Sequence, residues 1–374
     1  MAGLAVRQLR LSNFRSYATG ALALSGAPVV LAGPNGAGKT NILDAISLLS
    51  PGRGLRGARL SEHIRKGPVS PDTALWAVAA TVARGGTEYE IGTGLTLGPN
   101  GGEKRHVRLN GVEAKGSADL GDIVQMIWLT PAMDRLFTES AGGRRRFLDR
   151  LVLGFEPGHA RVSTRYETAM RERARLLKYG PRDPAWLDGL ENEMAEAGTE
   201  IARARAATVE RLDRALGERM GAFPSAALAL TGETFGDVET LRDALAASRL
   251  RDAEAGRTLR GPHLTDLQAR HTAKRADARD CSTGEQKALL ISIMLADARE
   301  LARARGGMAP LLLLDEVAAH LDGMRRAALF EEIQALAAQA WMTGTDLSLF
   351  DAIGKHGGSA EIFLVENGQF TRQD

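Results

Sequence analysis

The sequence predicts a two-lobed α/β protein: a mixed central sheet with antiparallel β hairpins, into which an α-helical lobe is inserted. Three observations predict it. Ala27-Pro28-Val29-Val30-Leu31-Ala32 is a short apolar run, followed by a glycine-rich loop and then by Asn41 to Leu49, whose apolar residues recur at helical spacing. Leu311-Leu312-Leu313-Leu314 is a continuous apolar run, as a central parallel strand buried on both faces requires. Between them, from Arg144 to about Met220, the chain is rich in Ala, Arg, Leu and Glu, all good helix formers except where Gly or Pro interrupts. A chain of 374 residues is long for a single core, so two lobes are expected, one made of 1–130 and 259–374 and the other of 131–258.

The elements follow in order. Val6 to Leu11 alternates apolar and polar side chains like a half-buried strand, and Asn13-Phe14-Arg15-Ser16-Tyr17 turns toward a second one. After the glycine-rich loop and its helix comes a basic loop, with Arg53, Arg56, Arg59, Arg65 and Lys66 opposed only by Glu62. From Leu75 to Val112, strand-like runs are punctuated by Arg84-Gly85-Gly86, Pro99-Asn100-Gly101-Gly102 and Asn110-Gly111, the signature of antiparallel hairpins. Asp122 to Leu129 reads as a buried strand that Thr130-Pro131 ends. Gly180, Pro181 and Pro184 separate two long helical stretches, and the absence of sustained heptads argues for a compact lobe rather than a coiled coil. Phe223 to Leu250 adds a mixed segment and a further helix. Ser282 and Glu285 stand at capping-box spacing and open another helix; Ala340 to Thr345 and Glu361 to Val365 supply closing strands.

The chemistry concentrates at two places. Gly33-Pro34-Asn35-Gly36-Ala37-Gly38-Lys39-Thr40 is a complete G-x-x-x-x-G-K-[ST] phosphate loop in its strand–loop–helix setting. Its glycines let successive N–H groups turn inward around phosphates, the helix N-terminus faces their charge, Lys39 reaches the outer phosphates and Thr40 can hold Mg²⁺. Nucleoside triphosphate binding is therefore expected. Asp315, at the end of the leucine strand, can reach the same Mg²⁺, and the adjacent Glu316 can orient or deprotonate an attacking water. A capped helix N-terminus at Ser282 is a second anion site, and it needs a user other than the loop.

Composition narrows the field. With 48 basic and 46 acidic residues the net charge is +2, so any grip on nucleic acid must come from local basic faces. One cysteine, Cys281, excludes an internal disulfide, and the seven histidines lack metal-ligand spacing. No run of 18 apolar residues and no signal-peptide core occur, so a soluble cytoplasmic protein without membrane contact is expected.

Cys281-Ser282-Thr283-Gly284-Glu285-Gln286-Lys287, then Asp315-Glu316 and Leu321-Asp322, resemble the signature, Walker B and D-loop series of ABC-type ATPases. Within that class the chain is similar to the RecF family, through Asn13 to Tyr17, the loop with Asn41 to Ile46, Arg144-Arg145-Arg146-Phe147-Leu148-Asp149 and Thr258 to His263. The resemblance implies an ABC-type ATPase head in which Ser282, Gly284 and Gln286 close on the γ-phosphate of ATP held by a second copy. It carries nucleotide contact onto Arg15, Asn41 and Asp322 as well. It further implies an ATP-dependent homodimer on single- or double-stranded DNA at gaps or junctions, and slow DNA-stimulated hydrolysis. RecR as a partner and functional links to RecO, RecA and the SOS response complete what it implies. Gln125 is the candidate Q-loop residue, a polar residue facing solvent being the alternative; Thr343 or Thr345 is the candidate γ-phosphate sensor.

For DNA the leading patch is Arg53, Arg56, Arg59, Arg65 and Lys66. Arg144, Arg145 and Arg146 come second, against the alternative that they cap helices or pair with acids of their own lobe. The rival functions are the nucleotide-binding subunit of another ABC-type ATPase, whether transporter or SMC-like, and a small-molecule P-loop kinase. A kinase has no need of the Ser282 signature.

Overall fold

The computed structural model describes residues 3–66, 75–97, 102–180, 183–217, 221–351, 353 and 360–373. The expected turn residues Pro99, Asn100 and Gly101, and the helix breaker Pro181, lie outside them.

In chain order the elements begin with β1 (Ala5–Phe14), β2 (Tyr17–Ala23), β3 (Val29–Ala32), α1 (Lys39–Ser47), β4 (Trp76–Arg84), β5 (Thr87–Leu97), β6 (Glu103–Leu109), β7 (Val112–Glu113) and β8 (Met126–Leu129). Then come α2 (Ala141–Phe155), α3 (His159–Tyr179), α4 (Pro184–Gly217), β9 (Ala226–Thr231), α5 (Val238–Ala255), β10 (Asp266–His271) and β11 (Ala276–Asp277). The chain closes with α6 (Thr283–Ala304), β12 (Leu311–Leu314), α7 (Gly323–Ala335), β13 (Ala340–Gly344), β14 (Glu361–Glu366) and β15 (Gln369–Gln373).

Two compact units result: Met1–Asp134, Met220–Pro224 and Thr283–Asp374 form the first, Arg135–Arg219 and Ser225–Ser282 the second. The first contains two six-stranded sheets. One is antiparallel, in the order β2-β1-β4-β5-β6-β7, and the other runs β15-β14-β3-β13-β12-β8, parallel except for β15. Strand β4 shows why a sheet forms here: Trp76, Val78, Ala80 and Val82 are buried while Ala77, Ala79 and Thr81 face outward, a period of two that covers one face only. Those side chains join Ile42, Leu43 and Ile46 of α1 and Leu311, Leu313 and Trp341 of the parallel sheet in one core. The phosphate-loop helix is thus packed into the core along its apolar stripe.

Three expectations about this unit are corrected. Ile123 to Gln125 are not strand, because the chain is still leaving a 3-10 turn over Ser117–Asp122 and Val124 N–H donates back to Leu120 O. Strand β13 does not close the sheet; it pairs with both β3 and β12 and lies between the phosphate-loop strand and the leucine strand. The return to the first unit falls at Thr283 rather than near 259, since β10 pairs with β9 and β11 in a separate three-stranded sheet.

The second unit is accordingly not purely helical. Its first helical stretch is two helices, α2 and α3, divided at Glu156-Pro157-Gly158, because proline has no N–H to continue the ladder. Tyr166, Met194, Ile201, Leu241 and Leu245 build its core.

Candidate nucleotide site

The site lies at the carboxyl ends of the parallel strands, where loops leave β3, β12 and β13. Helix α1 starts at Lys39 with Gly38 as N-cap, at φ 114°, and has neither a side-chain cap nor an acidic residue in its first turn. Its leading N–H groups are therefore left for an anion. Lys39 is buried, and its Nζ donates to Gly33 O at 2.6 Å and Pro34 O at 2.9 Å, which folds the loop around its own lysine. Burial lowers the pKa of that ammonium, against the pull of the Glu316 and Asp315 carboxylates.

Thr40 Oγ1 donates to Asp315, 2.9 Å from Oδ1 and 3.2 Å from Oδ2. The residues expected to share a metal are thus brought together from opposite ends of the sequence. Thr343, on the intervening strand β13, organises the acidic pair: its hydroxyl donates to Asp315 Oδ1 at 2.8 Å and accepts from Glu316 N–H at 2.8 Å. Glu316 has φ 54°, a left-handed conformation that turns the chain sharply after the strand. Thr343 is therefore a positioning residue with its side chain committed within the chain, while Thr345 is exposed.

Other expected contacts fall elsewhere. Gln125 is corrected: β8 runs parallel to β12 with Met126 opposite Leu311, so Gln125 lies at the far end of the sheet from Asp315, roughly 16 Å of strand away. Its side chain is buried and donates to Gly121 O. Strand β8 presents Thr130 at the nucleotide end instead. Gln286 is buried in α6, whereas Ser282, Thr283 and Gly284 just before it are exposed. Asp322 caps α7, accepting from Arg325 N–H at 2.8 Å.

Arg15 is bound through Nε to Asp44 at 2.6 Å and through Nη1 to Glu62 O at 3.3 Å. Asp44, fully buried in α1, also has His63 Nδ1 at 3.4 Å; burial pushes its carboxyl up, but His63 and Arg15 beside it hold its pKa below the usual value. Asn41 donates to Ser16 Oγ at 2.9 Å, so the turn after β1 braces the nucleotide helix along one side. A turn composition flagged this segment in the sequence, but only folding pairs Arg15 with Asp44.

The basic loop leaves Arg53, Arg56, Arg59 and Lys66 exposed and Arg65 half-buried. Arg56 reaches toward α1, with Nη2 3.4 Å from Asn41 Oδ1 and Nε 3.9 Å from Asp44 Oδ2. Arg53 and Arg59 line a cavity with Ser61 and Arg105. Arg105 was not singled out in the sequence, although it anchors the loop: its guanidinium donates to Gly52 O at 2.5 Å and Leu48 O at 2.6 Å. Burial lowers its pKa to about 10. Arg144 is corrected as a DNA contact, because it forks onto Asp266 at 2.7 and 3.0 Å and donates to Glu139 O at 2.6 Å. Arg145 is half-buried and Arg146 exposed on the same helix. Among the described residues no helix is long and apolar enough to cross a membrane, and no cluster of His, Cys, Asp and Glu could hold a metal by itself.

Known proteins fit this geometry. The RecF/RecN/SMC N terminal domain family matches residues 5–355. The DNA replication and repair protein RecF of Mesorhizobium japonicum is 48% identical over 375 residues, covering 97% of this chain and 96% of that protein. Its counterpart in Agrobacterium fabrum is 48% identical over 380 residues, with 98% of each chain covered. Among solved structures, the recombination mediator protein RecF with ATP superimposes with a TM-score of 0.83 at 22% identity, over 100% of both chains. An Smc head domain with an extended coiled coil from Pyrococcus furiosus gives 0.55 at 18% identity, over 99% of this chain and 96% of that one. These structural likenesses show the fold, an ABC-type ATPase head. Nearly full-length identity at this level, with the phosphate loop and the Asp315-Glu316 pair assembled in one site, makes the chain a member of the RecF family of SMC-like ATPases.

Proposed function

We propose that this chain is a DNA replication and repair ATPase that closes into a dimer when ATP is shared between two copies. The observation that carries the proposal is the meeting of Thr40 with Asp315, 275 residues apart in sequence, beside a complete phosphate loop. A hydroxyl and a carboxylate are hard oxygen donors of the kind Mg²⁺ takes, so Thr40 and Asp315 would hold the ion, which neutralises phosphate charge when bound. Lys39 and the loop N–H groups bind and orient the phosphates, and Glu316 holds and accepts a proton from the attacking water. The exposed Ser282-Thr283-Gly284 segment supports the second half of the proposal, for it presents a helix N-terminus to another molecule. A ligand that touches both copies favours the dimer, and its hydrolysis withdraws that advantage.

Sedimentation with a non-hydrolysable ATP analogue and duplex DNA is expected to convert monomer to dimer, and ADP is expected to leave it monomeric. Monomers at every concentration with the analogue would remove the shared-nucleotide reading.

DNA is held, on this proposal, by Arg53, Arg59, Arg65 and Lys66, with Arg56 linking that loop to α1. Hydrolysis is then stimulated by DNA. Replacing Arg53 and Arg59 together by Ala is expected to flatten the salt dependence of duplex binding by about two units of slope, one for each lost phosphate contact. Binding measured across a salt series checks it, and an unchanged slope excludes the patch. RecR and, through it, RecA loading at single-strand gaps are the partners this reading implies, in the cytoplasm where the bacterial chromosome lies.

A further inference from the structure

The last two strands of the chain form a hairpin with no assigned role. Strand β14 pairs in parallel with the phosphate-loop strand β3, with Leu364 opposite Ala32. The hairpin turn, Asn367-Gly368, has both residues at positive φ, 49° and 73°. Beyond it, Phe370 on β15 lies 5.9 Å from the Tyr17 ring and against Gly20, both on β2 of the other sheet. The hairpin therefore bridges the two sheets across the outer side of the phosphate loop.

Its contacts with that loop are specific. Gly368 N–H donates to Ala37 O at 3.3 Å. The buried Tyr17 hydroxyl donates to Gly38 O at 3.1 Å, and burial pushes its phenol well up, so it stays a donor. The fit leaves no room for side chains: a Cβ on Gly33 would lie 2.2 Å from Val365 O, and one on Gly368 2.7 Å from Ser16 O.

The consequence follows from the planarity of the peptide group. In a trans peptide the carbonyl of one residue and the N–H of the next point in opposite directions. Holding Ala37 O from outside therefore turns Gly38 N–H inward, and holding Gly38 O does the same for Lys39 N–H. These two donors belong to the nest that cradles phosphates in a loop of this type. Gly38 O also accepts from Asn41 and Ile42 N–H, so the helix shares in fixing the second peptide. Ala37 O is the more dependent on the hairpin.

The geometry points to a clasp: Gly368 on the C-terminal hairpin and Tyr17 on β2 are positioning residues that pre-aim the Gly38 and Lys39 N–H groups at the nucleotide's phosphates. This rests on the proposal that the loop binds ATP. Because the clasp acts on backbone donors common to both nucleotides, ADP and ATP should depend on it equally.

The test compares wild type, Tyr17→Phe and Gly368→Ala by calorimetric titration with ATP analogue and with ADP, alongside thermal melting and steady-state hydrolysis. Tyr17→Phe keeps the ring and removes one neutral hydrogen bond, so both nucleotides should bind about threefold more weakly while the melting temperature falls by only a few degrees. Gly368→Ala must displace the turn from Ser16 and should weaken both by about tenfold. In each variant KM should rise while kcat stays within about twofold, since ground state and transition state lose the same contact. Wild type that binds neither nucleotide overturns the ATP-binding reading itself. Wild type that binds both, with Tyr17→Phe binding them equally well, overturns the clasp even where Gly368→Ala fails to fold.

Discussion

Glu316→Gln is expected to lower ATP turnover by about a hundredfold or more and to accumulate a dimer that ADP-bound wild type does not form. The backbone places this residue rather than its own side-chain contacts. Its N–H is tied to the Thr343 hydroxyl, which is tied in turn to Asp315, and its left-handed φ turns the chain sharply where the strand ends. Gln is isosteric, cannot accept the proton and cannot be charged, so binding should survive while the chemical step fails. Single-turnover hydrolysis and sedimentation of the same sample check both halves. Wild-type turnover in the variant would end the assignment of Glu316 as the group that activates water, whatever the nucleotide affinity.

Asp252→Ala is expected to destabilise the second unit by about 3 kcal/mol, the lower end of the range for removing one partner of a buried ion pair, because Glu191 still faces Arg173. Arg173 is fully buried, and its guanidinium donates to Asp252 Oδ2 at 2.6 Å, Glu191 Oε1 at 2.8 Å and Leu245 O at 2.7 Å. Asp252 also accepts from Ser248 Oγ and from Leu259 N–H, so a single carboxylate ties α3 to α5 and to the segment after it. Its removal leaves the guanidinium with Glu191, a carboxylate already shared with Arg249, and takes away the acceptor of Leu259 N–H, while Ser248 Oγ keeps Leu245 O. Since a domain's whole stability is typically about 5–15 kcal/mol, this one change should bring the unit close to unfolding at physiological temperature. The contrasting variant is Glu193→Ala, which breaks the exposed pair with Arg165 and should cost less than about 1 kcal/mol. Urea unfolding followed by circular dichroism compares the two, and a similar midpoint for both would mean that the buried network carries no special weight.

Much of the nucleotide site was legible because its parts are local. A phosphate loop works through consecutive backbone groups, so Gly33 to Thr40 announces itself in eight residues whatever surrounds it. Four leucines followed by two carboxylates mark a buried strand end in the same way, and alternation in Trp76 to Val82 is enough to specify a half-covered strand. Where the reading failed, the deciding fact was an alignment between distant segments. Gln125 has the right composition around it and the wrong end of the sheet, because strand direction and register are set by pairing with β12. Arg144 resembles a basic patch in sequence and is an ion-pair partner in space, since Asp266, 122 residues on, arrives beside it.

By itself, then, the amino-acid order determined the chemistry on offer: a phosphate nest, an acidic strand end, a helix N-terminus ready for an anion and a loop of arginines. Periodicity and backbone preference are properties of short stretches, so they survive without any knowledge of the fold. Tertiary structure alone decided which of these groups meet. It put β13 and Thr343 between the nest and the acidic pair, set the Asn367-Gly368 turn against the loop, and drew Arg144 and Arg173 away from solvent into ion pairs. The physical reason is that hydrogen bonds and ion pairs act over a few ångströms, and only the packing of the core brings residues hundreds of positions apart within that reach.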